Sequence, residues 1–205
     1  MTQIIYILTN PAMPNLIKIG MTTTSLEQRI AELSRATWVP LPFEVFYAAE
    51  VQDANLCESL LHNIFIDKRI NAKREFFSTS PEQAVSAIKL AEINNITPNN
   101  DIVDSPEEKI ALDEAKKKRD KMSFKMIDIP EWSILKFTDD NSITCTTTWS
   151  SKVLFEWNEI SLSASAVKAY QAIWKIINYP LQWPAFWMYE DETLWDRRLR
   201  IENWD

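Results

Sequence analysis

Glycine occurs once in this 205-residue chain, at Gly20, where average usage of roughly 7% would supply about fourteen. It follows an apolar strand directly, a place where a missing Cβ permits positive φ or close approach of another group. Cysteine is nearly as scarce. Cys57 and Cys145 lie far apart, with no second Cys or His at ligand spacing, which excludes a zinc site or a disulfide framework and predicts two buried thiols. No uncharged apolar run reaches the roughly 18 residues of a membrane span, and the amino terminus lacks the basic-then-apolar order of a signal peptide. The expectation is a cytoplasmic protein with no membrane partner.

Positive charge is also in short supply. The formal net charge is −7, and no segment is strongly basic: Lys+Arg against Asp+Glu run 8 to 10 over residues 1–97, 6 to 7 over 98–122 and 8 to 12 over 123–205. This argues against holding long nucleic acid mainly by phosphate neutralisation, so any DNA contact has to come from a local patch helped by a bound cation.

What is present suffices for a packed core, with 46% apolar residues and 11% aromatics, and the length suits one medium domain or two small ones. Alternation predicts strands over Gln3 to Leu8 and Leu16 to Met21, joined by an Asn/Pro-rich turn. Ser25 with Gln28 signals a helix start, and Leu26, Ile30, Leu33 and Ala36 continue at helical spacing. Pro40 and Pro42 end that helix. A third strand follows over Phe43 to Ala49, then a helix capped by Asp53 with Leu56, Leu60, Leu61, Ile64 and Phe65 as its apolar positions. A short strand over Arg74 to Ser78 and a helix opened by Ser80 and Pro81 complete the unit.

From Asn94 to Lys121 the composition shifts to Asn and Pro, then to Glu, Lys and Ala, as in a partly helical linker. Its Lys116-Lys117-Lys118-Arg119 run reads as a solvated helix face rather than a phosphate contact. Strands are expected near Ile134 to Phe137, Ser142 to Thr148 and Lys152 to Trp157, with helices over Ser163 to Ile176 and Thr193 to Ile201. The fold class is α+β, divided into residues 1–97, a charged linker 98–122, and a second small α+β unit 123–205.

The chemistry-bearing residues have a recognisable order. Ile4-Ile5-Tyr6, Asn10-Pro11-Ala12-Met13-Pro14, Ile17-Lys18-Ile19-Gly20, Arg29 on the next helix and Arg74-Glu75-Phe76-Phe77 together resemble the GIY-YIG nuclease superfamily, nearest its phage and bacterial branch with a Lys-Ile-Gly second motif. The resemblance covers residues 3–92. It implies a metal-dependent endonuclease acting on DNA, with Tyr6 orienting or deprotonating the attacking water, Arg29 on the phosphate and Glu75 as the single carboxylate ligand of Mg²⁺ or Mn²⁺. One carboxylate suits an ion that keeps most of its water. Lys18 stands where the second tyrosine is usual; there it could donate to the phosphate or depress the pKa of Tyr6. His62, the only histidine, lies four residues after Glu58 and is a candidate base or phosphate ligand.

Each residue also has a plainer reading. Tyr6 would be a half-buried strand tyrosine, Arg29 a surface partner of Glu32 or Glu50, Glu75 a partner of Arg74, and His62 structural. In the second unit, Ser161 to Ala166 followed by Trp183, Trp187, Tyr189, Glu190, Thr193, Leu194 and Arg197 resembles the RAMA-like domain attached to such nucleases. That resemblance implies recognition of DNA or modified bases. The unit's charge of −4, from 8 Lys+Arg against 12 Asp+Glu, leaves a protein partner open, and its tryptophans read individually as core or interface.

Overall fold

The computed structural model describes residues 3–36, 39–118, 123–149, 151–173 and 183–202. The chain is α+β and forms two compact units, Met1–Arg119 and Asp120–Asp205.

In the first unit, β1 (Ile4–Thr9), β2 (Ile17–Thr22), β3 (Glu44–Val51), β4 (Phe76–Phe77) and β5 (Glu92–Asn95) make one antiparallel sheet of order β4-β2-β1-β3-β5. Strand alternation splits β1 between two faces. Ile4, Tyr6 and Leu8 pack with Leu26 and Ile30 of α1 (Leu26–Ser34). The buried Ile5 and Ile7 face the other way, where α2 (Ala54–Ile64) and α3 (Pro81–Ile88) cover the sheet. The three expected caps are in place: Ser25, Asp53 and Ser80 accept from the backbone N–H groups of Gln28, Leu56 and Gln83.

Helix α2 differs from expectation in which face it buries. Ala54, Cys57 and Leu61 turn inward, whereas Leu56, Leu60 and Ile64 are each more than half exposed. The strand expected over Arg74 to Ser78 is only Phe76–Phe77, because Arg74 closes a turn with Asn71 before the ladder starts. The charged segment carries α4 (Pro106–Lys118), which belongs to the first unit: Leu112 is fully buried, and Lys116 reaches both Glu44 (2.5 Å) and Asp101 (3.1 Å). Of the basic run, Lys116 is therefore tied down. The side chains of Lys117 and Lys118, and Arg119, lie outside the described residues.

The second unit holds β6 (Ile134–Phe137), β7 (Asp140–Thr147), β8 (Lys152–Phe155), β9 (Asn158–Ser161), β10 (Trp187–Tyr189) and β11 (Glu192–Thr193) in the order β11-β10-β6-β7-β8-β9. Helices α5 (Leu162–Ala172) and α6 (Leu194–Glu202) pack with it around Phe137, Tyr170, Phe186 and Trp187. The helix expected over Ser163 to Ile176 ends at Ala172, where Ile173 leaves helical geometry and caps it, and the residues from 174 to 182 lie outside the described ones. Trp187 is fully buried, as a core tryptophan should be, but Trp149 and Trp157 are exposed by 77% and 93%. Trp174 and the side chain of Trp183 lie outside the described residues. Cys57 and Cys145 are both buried and free.

Candidate functional site

The antiparallel register of β1 and β2 sets Tyr6 opposite Gly20, Leu8 opposite Lys18 and Ile4 opposite Thr22. Directly opposed residues share a face, so Tyr6, Gly20 and Lys18 all lie on the side covered by α1. A Cβ built on Gly20 would stand 2.7 Å from Tyr6 Oη and 2.8 Å from both Cε2 and Cζ. Real side chains do not approach that closely. Gly20 has no positive φ, so of the two reasons for a lone glycine the structure selects close approach: the tyrosine ring fills the volume of the absent side chain.

Arg29 comes down from α1 onto the same spot. Its Nε donates to Tyr6 Oη at 3.3 Å and its Nη1 lies 3.5 Å from Glu32 Oε2, while its side chain keeps 37% exposure. Tyr6 itself is fully buried, beyond the half-burial expected of an ordinary strand tyrosine. Burial pushes its phenol above the usual range, and the hydrogen bond and charge of Arg29 oppose that without cancelling it. The cation beside the phenol is thus Arg29, not Lys18, and Tyr6 keeps its proton at neutral pH.

Lys18 instead pairs directly with Glu75, and its Nζ lies 5.9 Å from the Phe76 ring centroid. The partner expected for Glu75 on local grounds was Arg74, but pairing of Lys18 with Phe76 across β2 and β4 sets the neighbouring Glu75 beside the lysine. Burial raises the Glu75 carboxyl, yet the hydrogen bond and charge of Lys18, then His62 and Arg29, outweigh it and hold the group below the ordinary carboxylate range. Lys18 is 7% exposed and Glu75 37%. The pair therefore presents an ionised carboxylate at the surface of an otherwise covered cation.

His62 and Glu58 stand one helical turn apart on α2, along β2 where β4 no longer pairs with it. The His62 Nε2 lies 3.1 Å from the Ile19 carbonyl, with its ring 5.1 Å from that of Phe77, and Glu58 accepts from the Met21 N–H. Both side chains satisfy backbone groups along a strand edge that no further strand pairs. Burial first, then the charge of Glu75, pushes the Glu58 carboxyl above its usual range. Glu58 was not singled out from the sequence as a site residue; only its i, i+4 relation to His62 pointed toward it.

A second feature not anticipated is the segment before Glu75. Lys68, Arg69, Lys73 and Arg74 fall within seven residues that contain no acidic residue. Arg69 donates to the Arg74 carbonyl at 2.8 Å and stands over the Phe77 ring, and Ile70 N–H donates to the Phe76 carbonyl. The segment is thereby fastened alongside β4. The sequence signal for this segment was the absence of acids between Asp67 and Glu75 rather than a continuous basic run.

Residues 3–92 match the T5orf172 domain, which is found in phage-associated and GIY-YIG-like nuclease-related proteins. The match spans Tyr6, Lys18, Arg29, His62 and Glu75 together with α1 to α3 and the first four strands. No curated protein and no solved structure matches the chain.

Among the described residues no three His, Cys, Asp or Glu side chains converge on a cation position. An ion held by one carboxylate and otherwise by water and substrate oxygens fits Glu75, which is ionised, partly exposed and engaged through Oε2.

Proposed function

We propose that the first unit is a GIY-YIG-type endonuclease that hydrolyses DNA phosphodiester bonds with Mg²⁺ or Mn²⁺. The observation that carries this reading is the convergence of the Tyr6–Arg29 and Lys18–Glu75 pairs beside one lone glycine, within a T5orf172-like segment. Arg29, anchored from beneath by Tyr6, binds the scissile phosphate and stabilises the charge that grows on its oxygens. Lys18 fixes the Glu75 carboxylate and directs its remaining donors toward the phosphate. A cation on Glu75 supplies Lewis-acid charge when bound. Tyr6, protonated and covered, serves as a hydrogen-bonding anchor and not as the base; His62 lines the flank of the site. The Lys68 to Arg74 segment grips the backbone of the duplex.

The second unit is a recognition module for DNA or a protein partner, with the exposed Trp132, Trp149 and Trp157 as its contact side chains. A competing reading, that the first unit binds DNA without efficient turnover in host–phage conflict, draws on the full burial of Tyr6.

Incubation of supercoiled plasmid, branched DNA and modified phage DNA with the protein and Mg²⁺, Mn²⁺ or EDTA decides between them. Metal-dependent nicking that disappears in Arg29→Ala and Glu75→Gln supports the nuclease. Wild type as inert as both variants on every substrate, despite binding DNA, supports the competing reading.

A further inference from the structure

Three consecutive residues of β2 gather the ionisable groups of the first unit. On the edge that β4 leaves open, the Ile19 N–H donates to the Glu75 carbonyl at 3.2 Å, His62 Nε2 lies 3.1 Å from the Ile19 carbonyl, and the Met21 N–H donates to the Glu58 carboxylate. Between them Gly20 lies against the Tyr6 hydroxyl, to which Arg29 donates. Hydrolysis of a phosphodiester takes a proton from the attacking water, and most of these groups are poor acceptors for it. Tyr6 keeps its own proton, and Arg29 and Lys18 are donors. Glu75 is tied to Lys18 and held below the ordinary carboxylate range. The His62 ring is fixed between the Ile19 carbonyl and Phe77. Glu58 differs: it is half-buried, and beyond the bond from Met21 its carboxylate has no hydrogen-bond partner among the described residues. Lys18, His62 and Glu75 all face it, and its charge reaches the Tyr6 hydroxyl that anchors Arg29.

We propose that Glu58 is the general base of this site, taking the proton from the water that attacks the phosphodiester; the proposal rests on the nuclease reading. As the water oxygen bonds to phosphorus, its O–H bond breaks and the proton passes to the free Glu58 oxygen. The bond from phosphorus to the departing sugar oxygen breaks, that oxygen takes a proton from solvent, and Glu58 returns its own to solvent. One water is consumed per bond cut and Glu58 is regenerated. The neighbourhood suits the role: burial and Glu75 raise the proton affinity of Glu58, while Lys18 lowers that of Glu75. Two carboxylates pushed apart in this way can divide the work, one accepting protons and the other staying ionised for a cation. Capping the strand edge needs only an acceptor oxygen. A carboxylate whose charge is disfavoured there gives up stability that a glutamine would keep, which is a mark of a functional group.

Single-turnover cleavage of supercoiled, branched and modified DNA with Mg²⁺ across the acid and neutral pH range tests this, alongside DNA binding in EDTA and thermal unfolding. The base must be ionised, so the wild-type rate should fall as pH drops through the folded-state value of Glu58, which lies above 4.5. Glu75, held below 4.5, titrates outside that window. Glu58→Gln keeps an oxygen for the Met21 N–H. It should lose at least about a hundredfold in rate and flatten the acidic limb, with DNA binding intact and a melting temperature no lower than that of the wild type. Glu58→Ala should regain rate with added formate, a small carboxylate that can accept a proton but cannot restore a strand cap tethered to α2. A wild type that cuts beside a Glu58→Gln variant of equal rate and pH profile overturns the proposal and leaves the nuclease reading standing. So does an acidic limb lost in His62→Gln and kept in Glu58→Gln, or a Glu58→Gln variant that unfolds together with a Glu58→Ala variant that formate does not restore. A wild type inert on all three substrates removes the nuclease reading, and this proposal with it.

Discussion

Gly20 and Tyr6 share one volume: the tyrosine side chain stands where the glycine's would be, with its hydroxyl oxygen 2.7 Å and two ring carbons 2.8 Å from an ideal Cβ. Two of the three contacts are ring carbons, so removing the hydroxyl does not make room. Gly20→Ala should therefore cost about 1–3 kcal/mol, as other overpacked interiors do, and should lose its contact with Arg29 as the ring is displaced. Tyr6→Phe should leave that cost unchanged, whereas Tyr6→Leu should remove most of it. A double-mutant cycle by urea unfolding measures the coupling; equal costs of Gly20→Ala in all three backgrounds would contradict the packing argument.

Lys18 is nearly covered and its partner is not, so the two halves of that pair differ in consequence. Glu75→Gln leaves a desolvated ammonium without its counter-charge and should destabilise by roughly 2 kcal/mol, less than the 3–5 of a fully buried pair because Glu75 is partly exposed. Lys18→Met should cost less than Glu75→Gln, since the carboxylate can turn to water. The pH dependence has a definite sign. Glu75 is held below its ordinary value of 4.5, so its contribution is present above that pH and fades as pH falls through the folded-state value. Wild type and Glu75→Gln should thus differ in urea midpoint at pH 7 and converge as the pH falls through the folded-state value, which lies below 4.5.

Glu58 carries the opposite sign. Its carboxyl is raised by burial and by Glu75, so the charged form costs stability at pH values above the folded-state value, and the cost vanishes as pH falls through that value toward 4.5. Glu58→Gln retains an oxygen to accept from the Met21 N–H, and should be more stable than wild type at pH 7 and indistinguishable from it at pH 4. A neutral-pH loss of stability in this variant would show that the edge-capping role outweighs the charge.

The first unit was more legible than the second, and the reason lies in how each makes its turns. In residues 3–92, caps at Ser25, Asp53 and Ser80 and the alternation of β1 and β2 announce their elements locally. Tyr6, Lys18, Arg29 and Glu75 were named from a motif order, and the structure brings them into two contacting pairs. What the sequence could not show was which cation meets which acid, because that depends on the pairing of β2 with the two-residue β4. The inward face of α2 was misread for a physical reason: Leu56, Leu60 and Ile64 sit at core-like spacing on a side of the helix that this unit leaves bare. The hairpin β8–β9 escaped notice because its turn lacks the Asn-Gly signature, in a chain with one glycine to spend.

That turn provides the last test. Glu156 and Trp157 have φ of 48° and 66° and link Phe155 to Asn158, a two-residue loop with both central residues left-handed. Glu190 and Asp191, at 52° and 63°, do the same between Tyr189 and Glu192. Such loops suit the twist of a hairpin but favour Asn and Gly, and a tryptophan there bears strain of about 1–2 kcal/mol. Trp157 is 93% exposed, so no burial offsets it. Glu156→Asn/Trp157→Gly should raise stability by about 1 kcal/mol after the greater freedom of glycine in the unfolded chain is counted, measured as a higher urea midpoint with an unchanged slope. If the second unit recognises its partner through exposed tryptophans, the same variant should bind more weakly while melting higher. A gain in stability with unaltered DNA binding would remove Trp157 from the contact surface, and a loss of stability would mean that its ring packs more closely than its exposure indicates.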